Sequence, residues 1–496
     1  MHARRKSDSP VVPASPSNNA AQAAAEAVEE RGLPKGNASS ETRPGPGAGV
    51  SVPSELERVR RVAKKDKEAR FAALLHHVDV DRLRAAYWAL NPKAAAGVDG
   101  ITWQDYGLDL EANLRDLHAR VHRGAYRARP TRRAYIPKPD GRLRPLGIAV
   151  LEDKILQRAV VEVLNAIYEA DFLGFSYGFR PGRSQHQALD ALAVGILRGK
   201  VNYVLDADIR GYFDSIDRTW MIRFLEHRIA DKRVVRLIRK WLAAGVIEDG
   251  EWSDTMEGTV QGASVSPLLS NVYLHYVFDL WADRWRRRQA RGEVIIVRFA
   301  DDYIVGFQHE SDARRFLAEL RDRLAKFKLE LAAEKTRLIE FGRYAAGRRQ
   351  KRGLGRPETF DFLGFTHCCG NALNGGFLLK RITIKKRLRA KLRQVKEELK
   401  RRRHQPIPEQ GHWLASVVRG HCAYYAVPGN YRAIETFRSE VSRHWLRALR
   451  RRSQRDRLSW ERMKRLEARW LPPARIVHPW PEQRFDVRTR GKSPVR

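Results

Sequence analysis

Two short apolar runs flank a pair of adjacent aspartates in the segment VIIVRFADDYIVGF. The runs, residues 294–297 and 303–307, are rich in the β-branched and aromatic residues that favour strands. Their spacing predicts a buried β-hairpin whose turn falls at Asp301 and Asp302. Asp is a common turn residue, so an ordinary structural turn is one interpretation. A pair of metal-binding carboxylates at the tip of two strands is the other.

A second acidic strand end lies upstream in VNYVLDADIRGYFDSID. The apolar run YVL predicts a strand that leads into Asp206 and Asp208 and then into a Gly-Tyr-Phe turn. Nucleotidyl transfer by two divalent ions needs carboxylates from separate elements that converge on metals about 3.5–4 Å apart. Asp208, Asp301 and Asp302 fit that need, and Mg²⁺ suits carboxylate and phosphate oxygens. A helix N-cap is the alternative role for Asp208.

Small residues occupy the segment between the two acidic elements, GTVQGASVSPLLSNVYLHYVFD. Gly258 and Gly262 precede an apolar run at 268–278, and Pro267 suits the first turn of a helix. Because glycine has no Cβ, such a loop lets the main chain lie close to a base pair or a nucleotide. Gln261 is then the candidate contact to the incoming nucleotide. A Gly-rich loop that caps a core helix is the plainer interpretation.

The helical and strand patterns together predict an α+β fold. Residues 153–170 and 312–327 predict helices between the strands, as in an antiparallel sheet backed by helices. Residues 54–90 are helical and basic in pattern. Residues 381–403 carry apolar residues at helical spacing and Lys or Arg at most other positions, which predicts a helix with one buried stripe and a broad basic face. The length of 496 residues accommodates about three domains.

The charge balance indicates a polyanionic partner. The chain has 94 Lys plus Arg against 58 Asp plus Glu, a formal net charge of +36. Neutralisation of phosphates with release of counterions would use such an excess, although ordinary solvated faces explain the same count. The three cysteines, Cys368, Cys369 and Cys422, show no CxxC spacing, so neither a disulfide framework nor a zinc module is expected.

The first 53 residues are dominated by Pro, Ala, Ser, Gly and Asn and contain no aromatic residue, so we expect them to be disordered. Arg4 and Arg5 are followed by no apolar signal core. No later run reaches the roughly 18–20 apolar residues that cross a bilayer. We therefore expect a soluble globular protein of the cytoplasm with no membrane partner.

The order of the motifs resembles bacterial group II intron reverse transcriptases and maturases. The blocks that carry the resemblance are NPKAAAGVDGIT (91–102), YIPKPDGRLRPLGI (135–148), YGFRPGRSQHQAL (177–189), DIRGYFDSID (208–217), GTVQGASVSPLLSN (258–271), FADD (299–302), LAAEKTRL (331–338) and FDFLGF (360–365). The family more often has Tyr at the position of Phe299, Pro at that of Val260 and Lys at that of Arg210. Every acid of the motifs is in place.

The resemblance implies the chemistry of the site. Asp208, Asp301 and Asp302 would be the catalytic triad that binds two Mg²⁺ ions, with the main-chain carbonyl of Ile209 as a further ligand. Phe213 stands where reverse transcriptases place a steric gate against the 2′-hydroxyl of a ribonucleotide, which implies DNA as the product. A core phenylalanine is the alternative.

Further positions resemble the contacts of the family to the incoming nucleotide. Lys138 and Arg144 would be the fingers cations on the triphosphate, and two solvated cations on a hairpin are the less expected alternative. Gln261 would contact the nucleotide, and Lys335 would lie near its phosphates and protonate the pyrophosphate leaving group. Arg180 is either a template contact or part of a structural salt bridge.

The segment WLASVVRGHCAYYAVPGNY (413–431) resembles the maturase-specific domain X of the same family. Arg419, Tyr424, Tyr425 and Tyr431 would bind RNA, since unpaired bases stack on rings while Arg reaches phosphates. A core role for the tyrosines is the alternative.

The resemblance also implies a right-hand polymerase, with fingers and a palm around an antiparallel sheet, followed by a helical thumb and maturase domain X. The expected boundaries are a disordered tail at 1–53, a basic helical extension at 54–118, the fingers and palm at 119–370, the thumb and domain X at 371–475 and a C-terminal tail at 476–496.

The expected function is that of an RNA-directed DNA polymerase that binds its group II intron RNA, assists splicing and copies the intron into cDNA during retrohoming. Its partners would be the intron RNA, a DNA target and primer, and dNTPs. Whether the chain forms a homodimer is an open question at this point. A domesticated reverse transcriptase of host defence is less expected because of domain X, and a non-catalytic RNA-binding splicing factor because the acids are intact. Beyond Trp470 the sequence has one histidine, His478, and no cysteine, so we expect no Cys- and His-rich endonuclease module there.

Overall fold

The computed structural model describes residues 55–137, 143–248, 251–253, 262–372, 375–452 and 458–489. The α-helices are α1 (Glu55–Lys65), α2 (Val80–Trp88), α3 (Trp103–Gly107), α4 (Leu110–His122), α5 (Leu151–Asp171), α6 (Gln185–Arg198), α7 (Arg218–Glu226), α8 (Lys232–Leu242), α9 (Ser266–Leu274), α10 (Leu280–Arg288), α11 (Glu310–Ala325), α12 (Ala345–Lys351), α13 (Lys385–Arg401), α14 (Ile407–Tyr425), α15 (Tyr431–Arg450), α16 (Trp460–Trp470) and α17 (Pro481–Thr489). A short 3₁₀ helix spans Leu75–His77, and a π-helical segment, His275–Asp279, joins α9 to α10.

The strands are β1 (Thr131–Pro137), β2 (Leu143–Ile148), β3 (Tyr203–Ala207), β4 (Val246–Glu248), β5 (Glu251–Ser253), β6 (Val294–Phe299), β7 (Asp302–Phe307), β8 (Arg337–Glu340), β9 (Phe360–Phe362), β10 (Phe365–Asn371) and β11 (Phe377–Thr383). They form three sheets, with the orders β2-β1-β4-β5, β6-β7-β3-β8 and β11-β10-β9. The sheet β6-β7-β3-β8 is antiparallel throughout and carries both acidic strand ends.

The antiparallel sheet β6-β7-β3-β8 forms part of a large hydrophobic core. All six residues of β6 are buried, as its near-continuous apolar sequence VIIVRF predicts for a strand covered on both faces. Helix α11 packs on β3 and β7, while α6 packs on β6. Helix α6 begins with a capping box in which Ser184 and Gln187 satisfy each other's main-chain amides. The α+β prediction is confirmed.

The C-terminal helices α13–α16 build a second, smaller core. Val395 and Leu399 are buried there, and Leu388 and Leu392 pack against it, as the apolar spacing predicted. The predicted start of the basic helix at Arg381 is wrong. That residue lies in β11 and is buried in an ion pair with Asp190, so the helix begins at Lys385.

The last described segment returns to the large core. Phe485 of α17 is buried in it, and Arg484 makes an ion pair with Asp190 of α6 at 2.6 Å. The domain boundaries at 118, 370 and 475 stay predictions. In the described part of the chain, no helix combines the length and the apolar composition of a membrane span.

Candidate active site

The acidic hairpin forms as the sequence predicted, with its turn one residue earlier. Strand β6 ends at Phe299, Ala300 and Asp301 make the turn, and Asp302 begins β7 opposite Phe299. Ala300 has a φ of 57°, the left-handed region that a residue with a Cβ seldom adopts. The turn therefore has a specific geometry that presents two consecutive carboxylates at one end of the sheet.

The register of β3 against β7 brings the second acidic element to the same place. The described pairs run from Tyr203 opposite Phe307 to Ala207 opposite Tyr303. The next position of the same register places Asp208 opposite Asp302, and directly opposed side chains share one face of an antiparallel pair. Asp208 and Asp302, which are far apart in the sequence, thus lie at the adjoining ends of the two central strands.

The nearby carboxylates affect the pKa of Asp302. Its side chain is accessible to solvent, yet the protein surrounds it closely enough for desolvation to be the main cause of a pKa raised to about 7. The charges of Asp301 and Asp208 raise the pKa further, and the guanidinium of Arg387 opposes them. Asp302 is therefore a carboxylate with other acids and one cation, Arg387, near enough to change its pKa.

Asp206 is a fourth carboxylate on the same face, two residues before Asp208. It pairs with Arg337 of β8, whose guanidinium lies 3.5 Å from it. Desolvation raises the pKa of Asp206 to about 6, and Arg337 opposes that shift. Alternation along a strand could have identified it from the sequence, because side chains at i and i+2 point to the same side.

Asp206, Asp208, Asp301 and Asp302 are together called the acid cluster. Lys335 contacts this cluster directly. Its ammonium makes an ion pair with the carboxylate of Asp208. The main chain fixes this meeting, since the amide of Ala332 donates to the Asp208 carbonyl at 2.8 Å and the amide of Arg210 donates to the Glu330 carbonyl at 2.8 Å. The carbonyl of Ile209 lies between these two hydrogen bonds and takes part in neither of them. The structure thus brings together Lys335 and Asp208, both predicted site residues.

The donor chemistry of the cluster fits a divalent cation. Carboxylate oxygens are preferred ligands of Mg²⁺, the like charges raise the pKa of Asp302, and an ammonium already neutralises Asp208. Within the described ranges, no three or more His, Cys, Asp or Glu side chains are close enough together to form a preassembled metal site. Asp208, Asp301 and Asp302 are the residues that would hold such an ion.

Phe213 lies in the turn that follows Asp208. Its ring is half-buried and meets the ring of Tyr212 edge-on, with centroids 5.3 Å apart. Tyr212 is buried and donates its hydroxyl to the carbonyl of Ser270 at 2.8 Å, which anchors the turn on α9. The role of Phe213 as a steric gate stays a prediction.

The predicted nucleotide contacts are only partly described. Lys138 and Gln261 lie outside the described residues, and for Arg144 only the main chain is described, in β2 opposite Ile136. Gly262, the residue after Gln261, has a φ of 111°, and a Cβ there would lie 2.8 Å from the carbonyl oxygen of Gly147 in β2. In the structure, Gly262 therefore lies close to strand β2, and the predicted approach of this segment to a base pair or nucleotide stays a prediction.

Arg180 is buried and bonded to the protein itself. Its guanidinium makes an ion pair with Glu169 at 3.0 Å and donates to the carbonyls of Leu173 and Ser176 at 2.8 and 2.7 Å. These contacts fit the structural salt bridge that the sequence left open.

The predicted RNA-binding residues of domain X divide into two groups. Arg419 and Tyr431 are exposed on α14 and α15. Tyr424 donates its hydroxyl to the carbonyl of Leu363 at 2.8 Å, and Tyr424 and Tyr425 pack on the ring of Phe365. The two tyrosines join α14 to the FLGF segment, and their contact with RNA stays a prediction.

Comparison with known proteins agrees with this geometry. A family model described as "Reverse transcriptase (RNA-dependent DNA polymerase)" matches residues 136–367, which include Asp206, Asp208, Asp301 and Asp302. The fold and the site therefore define a reverse transcriptase, an RNA-directed DNA polymerase.

Three relatives refine that class. Protein YkfC of Escherichia coli (strain K12) is 33% identical over 326 residues, 58% of this chain and 84% of that protein. The group II intron-encoded protein LtrA of Lactococcus lactis subsp. cremoris is 35% identical over 222 residues, 44% of this chain and 37% of LtrA. Nuclear intron maturase 2, mitochondrial, of Arabidopsis thaliana is 32% identical over 114 residues, 22% of this chain and 15% of that protein. The chain belongs to the group II intron reverse transcriptase and maturase family.

Proposed function

We propose that this chain copies its own group II intron RNA into cDNA, with dNTPs as substrates and the 3′ end of a DNA strand as primer, and that the product serves retrohoming. The observation that carries the proposal is the register of β3 and β7, whose last described pair is Ala207 opposite Tyr303, so that Asp208 and Asp302 are the next residues at the adjoining strand ends. Two neighbouring strand ends that carry carboxylates supply what phosphoryl transfer needs from a protein, a fixed anionic platform.

Two Mg²⁺ ions held by Asp208, Asp301 and Asp302 would activate the primer hydroxyl and neutralise the charge that develops on the triphosphate. The residues around the platform then divide the remaining work. Phe213 would exclude the 2′-hydroxyl of a ribonucleotide, and Lys335 would hold a proton at Nζ for the pyrophosphate leaving group. Lys138 and Arg144 would bind the triphosphate, and Gln261 the nucleotide.

We also propose that the helical C-terminal unit, which consists of α13–α16, binds the intron RNA and assists its splicing. Helix α13 supports this proposal, because its exposed side carries Lys385, Lys386, Arg387, Arg389, Lys391, Arg393 and Lys396, while only Leu399 and Val395 are fully buried. A surface of this kind neutralises phosphates with release of counterions, so its affinity for RNA should fall steeply with salt. Arg419 and Tyr431 are exposed near the same unit and extend the proposed surface.

The test is primer extension on poly(rA)/oligo(dT) with Mg²⁺, together with splicing of the cognate intron RNA. Both activities in one purified protein support the full proposal. Splicing without extension would identify a splicing factor with an inactive palm, and extension without any binding of intron RNA would favour a reverse transcriptase of host defence.

A further inference from the structure

Arg298 is a fully buried arginine one residue before the Phe299-Ala300-Asp301-Asp302 motif. It lies on β6 opposite Tyr303, and therefore on the face of the sheet that points away from Asp302. An arginine at such a position loses its hydration entirely, so the protein must supply partners for every N–H group.

The guanidinium is fully bonded. Nε and Nη2 donate to the Asp279 carboxylate at 2.7 and 2.6 Å, and Nη2 also donates to Ser176 Oγ at 2.8 Å. Nη1 donates to Asn271 Oδ1 at 3.0 Å and to the carbonyl oxygen of Ala300 at 2.9 Å. Since arginine has five N–H donors, each of them has an acceptor.

The bond to Ala300 reaches the active-site turn itself. Ala300 precedes Asp301 and has a φ of 57°, a conformation that is unfavourable for an L-residue unless its surroundings stabilise it. The same hydrogen-bond network also reaches the turn through Asn271 and Gly178. Asn271 Nδ2 donates to the Gly178 carbonyl at 2.7 Å, and Gly178 lies so close to the turn that a Cβ there would be 2.2 Å from the Ala300 amide nitrogen.

The partners of Arg298 come from separate motifs. Ser176 precedes the YGFRPGRS block, Asn271 ends the SPLLSN block on α9, and Asp279 ends the π-helical segment. π-Helical turns are frequently found at functional sites, where they redirect a side chain from the regular helical path. The network thus links helix α9 to the hairpin end that carries Asp301 and Asp302.

We propose that Arg298 is a positioning residue for Asp301 and Asp302. It fixes the carbonyl of Ala300, and through that carbonyl the left-handed turn that aims both carboxylates at the metal site. The inference rests on the proposed function, since it assumes that these aspartates bind the divalent ion. A group that orients metal ligands without touching the metal typically changes metal affinity or activity by about 10–100-fold when it is lost.

The discriminating variant is Arg298→Lys. A lysine keeps one positive charge against Asp279, but its ammonium has three N–H donors where the guanidinium makes five bonds, and it lacks the planar fork that spans Asp279, Asn271 and the Ala300 carbonyl. We expect the affinity for Mn²⁺, measured by calorimetry on the full chain without nucleic acid, to fall about tenfold. The kcat for single-nucleotide addition should fall as well, while the KM for dNTP changes little, because the nucleotide contacts are intact.

Arg228→Lys is the matched control. Arg228 is also a buried arginine, with an ion pair to Asp171 at 2.9 Å and a bond to the Ala69 carbonyl at 2.8 Å, but it contacts no element of the acid cluster. Its replacement should lower the melting temperature and leave Mn²⁺ affinity per folded molecule at the wild-type value. Should Arg298→Lys not fold, Asn271→Ala removes the bonds to Arg298 and Gly178 and should weaken Mn²⁺ binding in the same direction.

Wild-type Mn²⁺ affinity and kcat in a folded Arg298→Lys or Asn271→Ala protein would overturn the inference and leave Arg298 a structural residue alone. The proposed function fails separately: a wild-type protein that binds Mn²⁺ but never extends a primer rejects polymerisation, while the comparison of Mn²⁺ affinities still decides the role of Arg298.

Discussion

The ammonium of Lys335 makes an ion pair with the carboxylate of Asp208, the first of the three aspartates proposed to hold metal. The two residues are 127 positions apart, and the main-chain bonds around Ala332 hold their segments together. A divalent ion that binds Asp208 must therefore compete with a cation that the protein already supplies.

Lys335→Ala should tighten the binding of divalent ions to the free protein while lowering the rate of nucleotide addition. The competing ammonium disappears, and so does the proposed proton donor for pyrophosphate. Calorimetric titration with Mn²⁺ and single-turnover extension measure the two effects. Lys328→Ala is the control, since Lys328 pairs with Asp217 at 2.7 Å outside the acid cluster. Unchanged Mn²⁺ affinity in Lys335→Ala would show that the ion pair does not compete with metal.

Phe213→Ala should raise the incorporation of ribonucleotides relative to deoxyribonucleotides. The half-buried ring follows the turn after Asp208, and its removal opens space that a 2′-hydroxyl can fill. The ratio of dNTP to rNTP use in primer extension is the measurement. A ratio equal to that of the wild type, in a variant with wild-type thermal stability, would reject Phe213 as the gate.

Asp190→Ala should destabilise the fold severely. Asp190 is buried and makes ion pairs with Arg381 of β11 and Arg484 of α17. Its loss leaves the buried Arg381 without a counter-charge, a change that costs about 3–5 kcal/mol. Chemical denaturation gives the free energy of unfolding. The exposed Asp109→Ala is the control and should stay within about 0.5 kcal/mol of the wild type. A loss of no more than about 0.5 kcal/mol in Asp190→Ala would show that the ion pairs of Asp190 with Arg381 and Arg484 do not stabilise the fold.

His421 should make stability fall as the solution becomes acidic. Its ring is buried and stacked on Phe437 at 3.7 Å, and desolvation lowers its pKa to about 3 from the ordinary value of 6.5. Between these two values the unfolded chain binds a proton that the folded chain does not. The free energy of unfolding therefore falls as the pH drops below 6.5, by about 1.4 kcal/mol at about pH 5.5.

The variant His421→Phe isolates this contribution, since phenylalanine keeps the stacking and cannot be protonated. The free energy of unfolding of the wild type should decline more than that of the variant between about pH 7.5 and 5.5. Asp153, whose burial raises its pKa to about 6, acts in the opposite sense, but it is common to both proteins. Parallel pH profiles for the two proteins would contradict the assignment.

Local patterns in the sequence predicted the strands and turns of the site better than they predicted the contacts between distant segments. Alternating and continuous apolar runs gave the β6-β7 hairpin and β3, because strand formation follows from nearest neighbours. The pairing of Arg381 with Asp190 joins positions 191 apart, and no local pattern distinguishes it from a cation on a helix face. For the same reason the sequence offered no sign that Arg298 bonds Asp279, Asn271 and Ser176, which are 19, 27 and 122 positions away.

The tyrosines of domain X illustrate the same limit. Aromatic residues beside an arginine suit RNA and suit a packed interface equally well, and only the folded chain places Tyr424 and Tyr425 against Phe365. Phe213, in contrast, lies in the turn that directly follows Asp208, so a local pattern is sufficient to place it there.

The most direct test of the central claim is Asp302→Asn, assayed for both activities in the same preparation. The amide keeps the shape of the side chain but removes the charge that would hold a divalent ion. The account predicts that cDNA synthesis falls by more than about 100-fold, while binding and splicing of the intron RNA continue at the wild-type level. Undiminished cDNA synthesis, or an equal loss of both activities in a folded protein, would contradict it.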